Sequence, residues 1–386
     1  MTDEGGVEQV NEAFVEQFGT TPTATAVAPG RVNLIGGHVD YNAGIVLPAA
    51  IDRVTVAAAA PRDDDRIRVH SLSLEEGVEA SVGDGLEGWA AYVVGTATVL
   101  SGEVDRSVGT DLVVGGNMVM GAGLSSSASL EIAVAGALNT VHDLGLSPEE
   151  LADVGWRAEN QEVGMACGIM DQFASALGRA DHVLRIDCRS RAVERIPFDS
   201  RRANVVVVDT NVTHQLTESG FNDRVRECHE ATARLDALLG KRVRTLRDVT
   251  PEEVAAHADD LEPPLGRRAR HVTTEIERVR AAADALREGT VARVGALMRE
   301  SHRSLRDDYE VSCAELNAVV EILADRPEVH GCRMVGGGWG GSVAALVDPD
   351  ATAQVSAAVE REYRERTGID ADTYVFETAD GLRCVG

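Results

Sequence analysis

Lysine is all but missing from this chain. Only Lys241 occurs among 386 residues, in the stretch LLGKRV, which rules out a Walker A loop, GxxxxGK followed by Ser or Thr. Net positive charge is absent too: 63 acidic residues against 37 basic ones give a formal charge of -26. Such a surface repels nucleic acid and anionic membranes, so neither is an expected partner. Acidity with arginine in place of lysine is the composition of a protein adapted to high salt, where repulsion is screened and hydrated carboxylates keep the chain in solution. Runs such as Asp63, Asp64 and Asp65 then read as solvated surface. No apolar run approaches the roughly 18 residues of a membrane span. The opening MTDEGGVEQV lacks a basic-then-apolar signal, so a cytoplasmic protein is expected. The six cysteines form no CxxC pair, and reduced, mostly buried thiols are expected.

What is present is enough chain for two domains. Strands are predicted at 53 to 60, 66 to 72, 111 to 120, 181 to 187 and 204 to 210, with a helix at 148 to 163 among them. Helices follow at 219 to 239, 267 to 288, 290 to 302 and 312 to 325, then strands near 331 to 335 and 342 to 347 and a last helix at 350 to 365. This grouping predicts an α+β protein with domains at 1–200 and 201–386. GAGLSSSASLEIAVAGALNTVHDLG, from residue 121, reads as a glycine turn opening a helix, where free amides and the positive dipole end attract phosphate oxygens. Gly336, Gly338 and Gly341 match a dinucleotide fingerprint by letter, but the strand-like SVAALVDPD after them removes the required strand-turn-helix context.

Without a phosphate-binding lysine, phosphoryl transfer needs helix-end amides, a divalent ion and arginine. AENQEVGMACGIMDQFAS places Glu159, Glu162 and Asp171 close together in sequence. Asp171 has two readings: the cap of a helix starting near Gln172, or the general base that accepts a hydroxyl proton.

Four stretches resemble, in order, the signatures of galactokinases within the GHMP small-molecule kinases: APGRVNLIGGHVDYNAGIVLPAAI (28–51), GAGLSSSASLE (121–131), GMACGIMDQ (164–172) and GCRMVGGGWGGS (331–342). Taken with the composition, the expected source is a halophilic archaeon. The resemblance implies an N-terminal domain like ribosomal protein S5 domain 2, a ferredoxin-like C-terminal domain and an active site between them. It implies that Gly121, Gly123, Leu124, Ser125, Ser126 and Ser127 cradle ATP phosphates and that Ser127 and Glu159 hold Mg2+. By the same carry-over Asp171 is the base or orienting group, Arg31 stabilises transferring charge, and Gly37, His38, Asp40, Phe221, Gly337 and Gly338 form the sugar site. A monomer or small homo-oligomer acting on a small molecule is expected.

The departures lie at the sugar. Galactokinases read GEH where this chain has Gly36, Gly37 and His38, their glutamate bonding the galactose 6-hydroxyl. Their sugar-contacting tyrosine is Phe221 here, and Val335 and Trp339 replace a threonine and a phenylalanine. Losing a hydrogen bond to a charged acceptor costs about 1.5–3 kcal/mol. For an anionic acceptor the sign reverses, because a glutamate about 4 Å away repels it by about 4 kcal/mol at an effective dielectric near 20. An anionic sugar is therefore favoured: ribose 1-phosphate giving ribose 1,5-bisphosphate, as in galactokinase-like kinases of halophilic archaea, with Arg224 and Arg226 as candidate anion ligands. Galactose is the alternative, then galacturonate; a silent sugar sensor is disfavoured by the intact serine loop.

Overall fold

The computed structural model describes residues 3–213 and 217–385, so part of the 209–231 stretch, residues 214–216, lies outside the described residues. A six-stranded sheet runs in the order Arg383–Val385, Ala24–Asn33, Pro48–Pro61, Thr110–Gly116, Arg66–Ser71, Glu76–Ser81. All its neighbours are antiparallel except Arg66–Ser71 beside Thr110–Gly116. The two long central strands show why they are strands: side chains alternate between faces. Ala26, Ala28, Ala57 and Ala59 pack into one core with helices Trp89–Val104 and Ser126–Val141, while Val27, Val54, Val56 and Ala58 meet Val10 and Phe14 of helix Asp3–Phe18 on the other side. Small alanines on the first face let helix Ser126–Val141 lie close to the sheet.

The second sheet, Val329–Val335, Gly340–Val347, Asn204–Thr213, Asp372–Phe376, is wholly antiparallel. Its central strand carries four buried valines, 205 to 208, alternating between two cores. Helix Val291–Asp307 covers one face, and helices Ala314–Ala324 and Thr352–Thr367 cover the other. A small sheet pairs Ile45–Val46, which lies between the first sheet's two long strands in sequence, with His182–Asp187 and Ala192–Pro197, which precede the second sheet. This is the expected two-domain α+β architecture.

The predicted strands and helices are present with shifted ends, but three features differ. The chain crosses from one sheet system to the other between Pro197 and Asn204, close to residue 200, yet Arg383–Val385 returns to pair with Thr25–Val27 of the first sheet. The last residues thus belong structurally with 1–200, because they cover the edge strand Ala24–Asn33. The helix expected from 148 onward changes winding at Glu159, where a π-turn, Glu159–Val163, replaces the α-helix Pro148–Ala158. All six cysteines are free, but only Cys228 and Cys332 are buried, and Cys384 is exposed.

Candidate active site

Two glycine loops meet at the centre of the molecule. One follows strand Thr110–Gly116 and opens helix Ser126–Val141; the other is the hairpin joining the first two strands of the second sheet. The Cα of Gly336 lies so near Gly123 that a Cβ on Gly123 would stand 3.5 Å from it. Both glycines have positive φ, +68° and +79°, a conformation that side chains disfavour. Below the contact lies a cleft of about 230 Å³, lined among others by Arg31, Asp40, Asp171, Gly37 and Arg333.

Arg31 reaches this cleft because its strand is irregular: the pairing with Pro48–Pro61 slips between Pro29 and Arg31, the kind of bulge that re-aims a side chain. Its backbone N–H donates to the Leu124 carbonyl at 3.0 Å. Its guanidinium grips Asp171 with two parallel bonds, Nε to Oδ1 at 2.7 Å and Nη2 to Oδ2 at 2.6 Å, and Nη1 donates to the Gly123 carbonyl at 2.7 Å. Arg31 is 5% exposed, and the Asp171 side chain is 27% exposed. Asp171 sits inside helix Met170–Leu177, whose N-cap is Ile169 with no side-chain cap. The capping reading of Asp171 is therefore wrong; its carboxylate points into the cleft.

Ser125 occupies the N-cap position of helix Ser126–Val141 at φ +59° and does not cap it. Its hydroxyl donates to Asp171 Oδ2 instead. The first-turn amides of a 16-residue helix are thus left without a side-chain acceptor, the arrangement that receives an anion. Leu124, expected in the phosphate cradle, contributes backbone only, since its side chain is buried in the core. Ser126 and Ser127 face a neighbouring cavity of about 210 Å³ walled by Leu74, Trp89, Tyr92 and Met120.

Beside Ser127 is a buried acid pair. Ser127 Oγ donates to Glu159 Oε1 at 3.2 Å, and Gln172 Nε2 joins Glu159 Oε2 at 2.6 Å to Glu131 Oε2 at 2.9 Å. Burial raises the Glu159 pKa, and the Asp171 charge adds to it; Glu131 is pushed up by burial and then by Glu159. Carboxylates that raise one another mark a place short of positive charge. Hydroxyl and carboxylate oxygens suit Mg2+, which keeps further positions for phosphate and water. Among the described residues no group of three or more His, Cys, Asp or Glu is arranged to hold an ion alone.

On the sugar side, Asp40 is half-buried at the cleft, where a Cβ on Gly168 would overlap its carboxylate. Desolvation and the neighbouring Asp171 push it up to about 6. His38 lines the cleft, but both ring nitrogens are engaged within the protein: Nε2 with the Gly337 carbonyl at 3.1 Å and Nδ1 with the Tyr41 hydroxyl at 2.9 Å. Burial lowers its pKa to about 3, so the ring is neutral. A carbonyl can only accept, so Nε2 carries the proton and Nδ1 accepts from Tyr41. Tyr41 then accepts from Tyr309 at 2.7 Å, and Tyr309 from the Cys228 thiol at 3.0 Å. His38 is thus a strut between its own turn and the hairpin at Gly337, with no nitrogen free for substrate. Phe221 does line the cleft, its ring 5.6 Å from His38 and 5.4 Å from Tyr41. Gly337 lines it as well, whereas Gly338 lies beneath the Val311 carbonyl, away from the cleft.

The expected anion ligands are elsewhere. Arg224 spends its guanidinium on the carbonyls of Tyr309 and Glu310 and on Glu227. Arg226 is on the surface with Asp223 and Glu230. Neither lines the cleft. Helix Thr217–Leu239 presents them to its own wall and to solvent. Beside Arg31, the cleft's other cation is Arg333, which lies within GCRMVGGGWGGS and which the sequence reading misses. Its one signal is a charged residue inside an otherwise apolar strand.

Known proteins share this arrangement. The galactokinase galactose-binding signature matches residues 12–61, the GHMP kinase N-terminal domain residues 91–179 and the GHMP kinase C-terminal domain residues 282–365. Galactokinases of Chloroflexus aggregans and Chloroflexus aurantiacus are each 43% identical over 377 residues, covering 97% of this chain and 96% of theirs. The crystal structure of Lactococcus lactis galactokinase complexed with galactose matches at TM-score 0.91 and 34% identity, over 97% of this chain and 99% of that one. Methanococcus jannaschii mevalonate kinase, at 16% identity and TM-score 0.64, shares the fold. With two glycine loops closing on a carboxylate, an arginine and a hard-oxygen pair, the chain belongs to the galactokinase family of GHMP kinases and is an ATP-dependent sugar kinase that works with Mg2+.

Proposed function

We propose that the chain phosphorylates galactose, transferring the γ-phosphoryl group of ATP to give galactose 1-phosphate and ADP. The observation that carries this reading is the Arg31–Asp171 pair at the mouth of a cleft whose sugar side, Arg31 to Asp40, falls within the matched galactose-binding signature. The favoured expectation of ribose 1-phosphate finds no support. The relatives named above are galactokinases, and the arginines meant to bind a phosphorylated sugar are committed elsewhere.

In this reading the apolar cavity by Trp89 and Tyr92 takes the nucleoside, and the uncapped turn at Ser126 takes the phosphates. Ser127 and Glu159 hold Mg2+, which when bound offsets charge on the phosphate oxygens. Asp171 orients the attacking hydroxyl and accepts its proton. Its two bonds from Arg31 fix the carboxylate plane, and the serine hydroxyl fixes one oxygen, so it is positioned before the sugar arrives. Arg31, bonded also to the Gly123 carbonyl, places positive charge beside the phosphate loop, where charge moves in the transition state.

A coupled assay of ADP release, run across salt concentrations, tests the reading. Galactose is expected to be used with at least about tenfold higher kcat/KM than ribose 1-phosphate, roughly 1.4 kcal/mol of discrimination. Preference for ribose 1-phosphate would overturn it. A pH profile adds a second check. Burial pushes Asp40 up to about 6, and an ionised carboxylate accepts sugar hydroxyls more strongly than the protonated acid does. Sugar kcat/KM is therefore expected to fall as pH drops through about 6, a limb that Asp40→Asn removes. Stability should move the other way. Because folding raises this pKa, the folded state holds the proton more tightly, so the cost of burying the charge is present above about 6 and is relieved as pH falls below it.

A further inference from the structure

The end of the cleft at Gly37 carries an unpaired buried cation. Arg333 is 1% exposed, yet its only hydrogen bond among the described residues runs from Nη1 to the Asn33 carbonyl at 2.8 Å, and Nε has no partner. No carboxylate forms an ion pair with it among the described residues. Glu275, the nearest acid in its field, is already used: Oε2 accepts from Arg278 at 2.7 Å, and Oε1 accepts from the Gly36 and Gly37 amides and from Ser301. Arg278 pairs with Glu275 and Arg31 with Asp171, which leaves Arg333 without an ion-pair partner among the described residues. His302 beside it is pushed down to about 4 by burial and then by Arg333 itself, so its ring is neutral.

Gly37 is what opens Arg333 to the cleft. A Cβ at residue 37 would overlap Arg333 Nη2, so the guanidinium occupies the space of the missing side chain. The loop cannot yield, because Glu275 holds its amides and His271 Nε2 donates to the Gly37 carbonyl at 3.0 Å. Both Gly37 and Arg333 line the cleft.

We propose that Arg333, uncovered by Gly37, is a specificity-determining residue that donates to an acceptor oxygen on the sugar, so that a hexose bearing a carboxylate is accepted in addition to galactose. This rests on the sugar-kinase site described above. A buried guanidinium prefers an ionised acceptor, since charge-assisted bonds are about twice as strong as neutral ones, and an unpaired charge at such depth is costly until a substrate pairs it.

The test compares galacturonate with galactose, in kinetics and in calorimetric binding, on the full chain. The unsubstituted enzyme is expected to use galacturonate within about tenfold of galactose in kcat/KM. In Gly37→Glu the new carboxylate competes for Arg333 and repels the uronate, so the galacturonate-to-galactose ratio should fall by about 100-fold or more, a difference of roughly 2.7 kcal/mol. Arg333→Gln, which removes the charge, should lower the same ratio; it also serves if Gly37→Glu does not fold, as judged by loss of MgATP binding. Galactose turnover without galacturonate binding or turnover would overturn the proposal, as would a ratio unchanged in either folded variant. If neither sugar is turned over, the galactose reading fails on its own, and calorimetric binding of galacturonate, lost in Arg333→Gln, still decides the role of Arg333.

Discussion

Asp171→Asn is expected to lower kcat on galactose by about 10²–10⁴-fold, the range for loss of a positioned acid–base group. Two effects combine. The amide cannot accept a proton, and its NH2 must face either an Arg31 N–H or the Ser125 hydroxyl, because those groups donate to both carboxylate oxygens. A donor against a donor swings the side chain out of line, so orientation is lost together with basicity. The nucleotide contacts proposed above lie on the helix turn and the Trp89 cavity, apart from Asp171, so MgATP affinity measured by calorimetry should change by less than about threefold, under 1 kcal/mol. A kcat within tenfold of the parent would show that Asp171 neither takes nor aligns the proton.

Arg31→Lys should be nearly as damaging, with kcat reduced by about 10³-fold, the lower end of what a charge-stabilising arginine contributes in phosphoryl transfer. Charge is conserved, yet the fork is not: one ammonium cannot replace two parallel bonds to Asp171 and a third to the Gly123 carbonyl. Two results would separate this from mere unfolding. The variant should still bind MgATP, and its unfolding free energy should drop by no more than about 3 kcal/mol, since Asp171 keeps partial access to water and is not left as a fully buried lone charge. Full activity in the lysine variant would mean that simple charge suffices and that the bidentate geometry is incidental.

Much of this site is legible in the amino-acid order alone. Glycines followed by three serines and an apolar helical period announce the turn that opens helix Ser126–Val141, and the short apolar setting of Asp171 announces the carboxylate to which a chemical role is proposed above. Local sequence does not say which serine caps and which does not: Ser125 is drawn off by Asp171, 46 residues away. Nor do letters reveal that His38 spends both nitrogens on Tyr41 and on Gly337, 299 residues away, because hydrogen-bond partners are set by tertiary placement. Arg224 and Arg226 read as anion ligands because charge is visible in sequence and its neutralisation is not. Arg333 is missed for the converse reason: an arginine inside a strand looks like a surface residue until burial is known. The fold class follows from the order of elements. The return of Arg383–Val385 to the first sheet does not, since three residues carry no period and their pairing depends on an edge formed some 360 positions earlier.

That return has a consequence for synthesis. Chains emerge N-terminus first, and domains generally fold as they appear, but here one outer strand of the first sheet, Arg383–Val385, is made only after every strand of the second sheet. Until then, Ala24–Asn33 presents an open ladder edge of the kind that invites pairing with other chains. The first domain can assemble early and yet stay unsealed along this edge until the whole second sheet has been made.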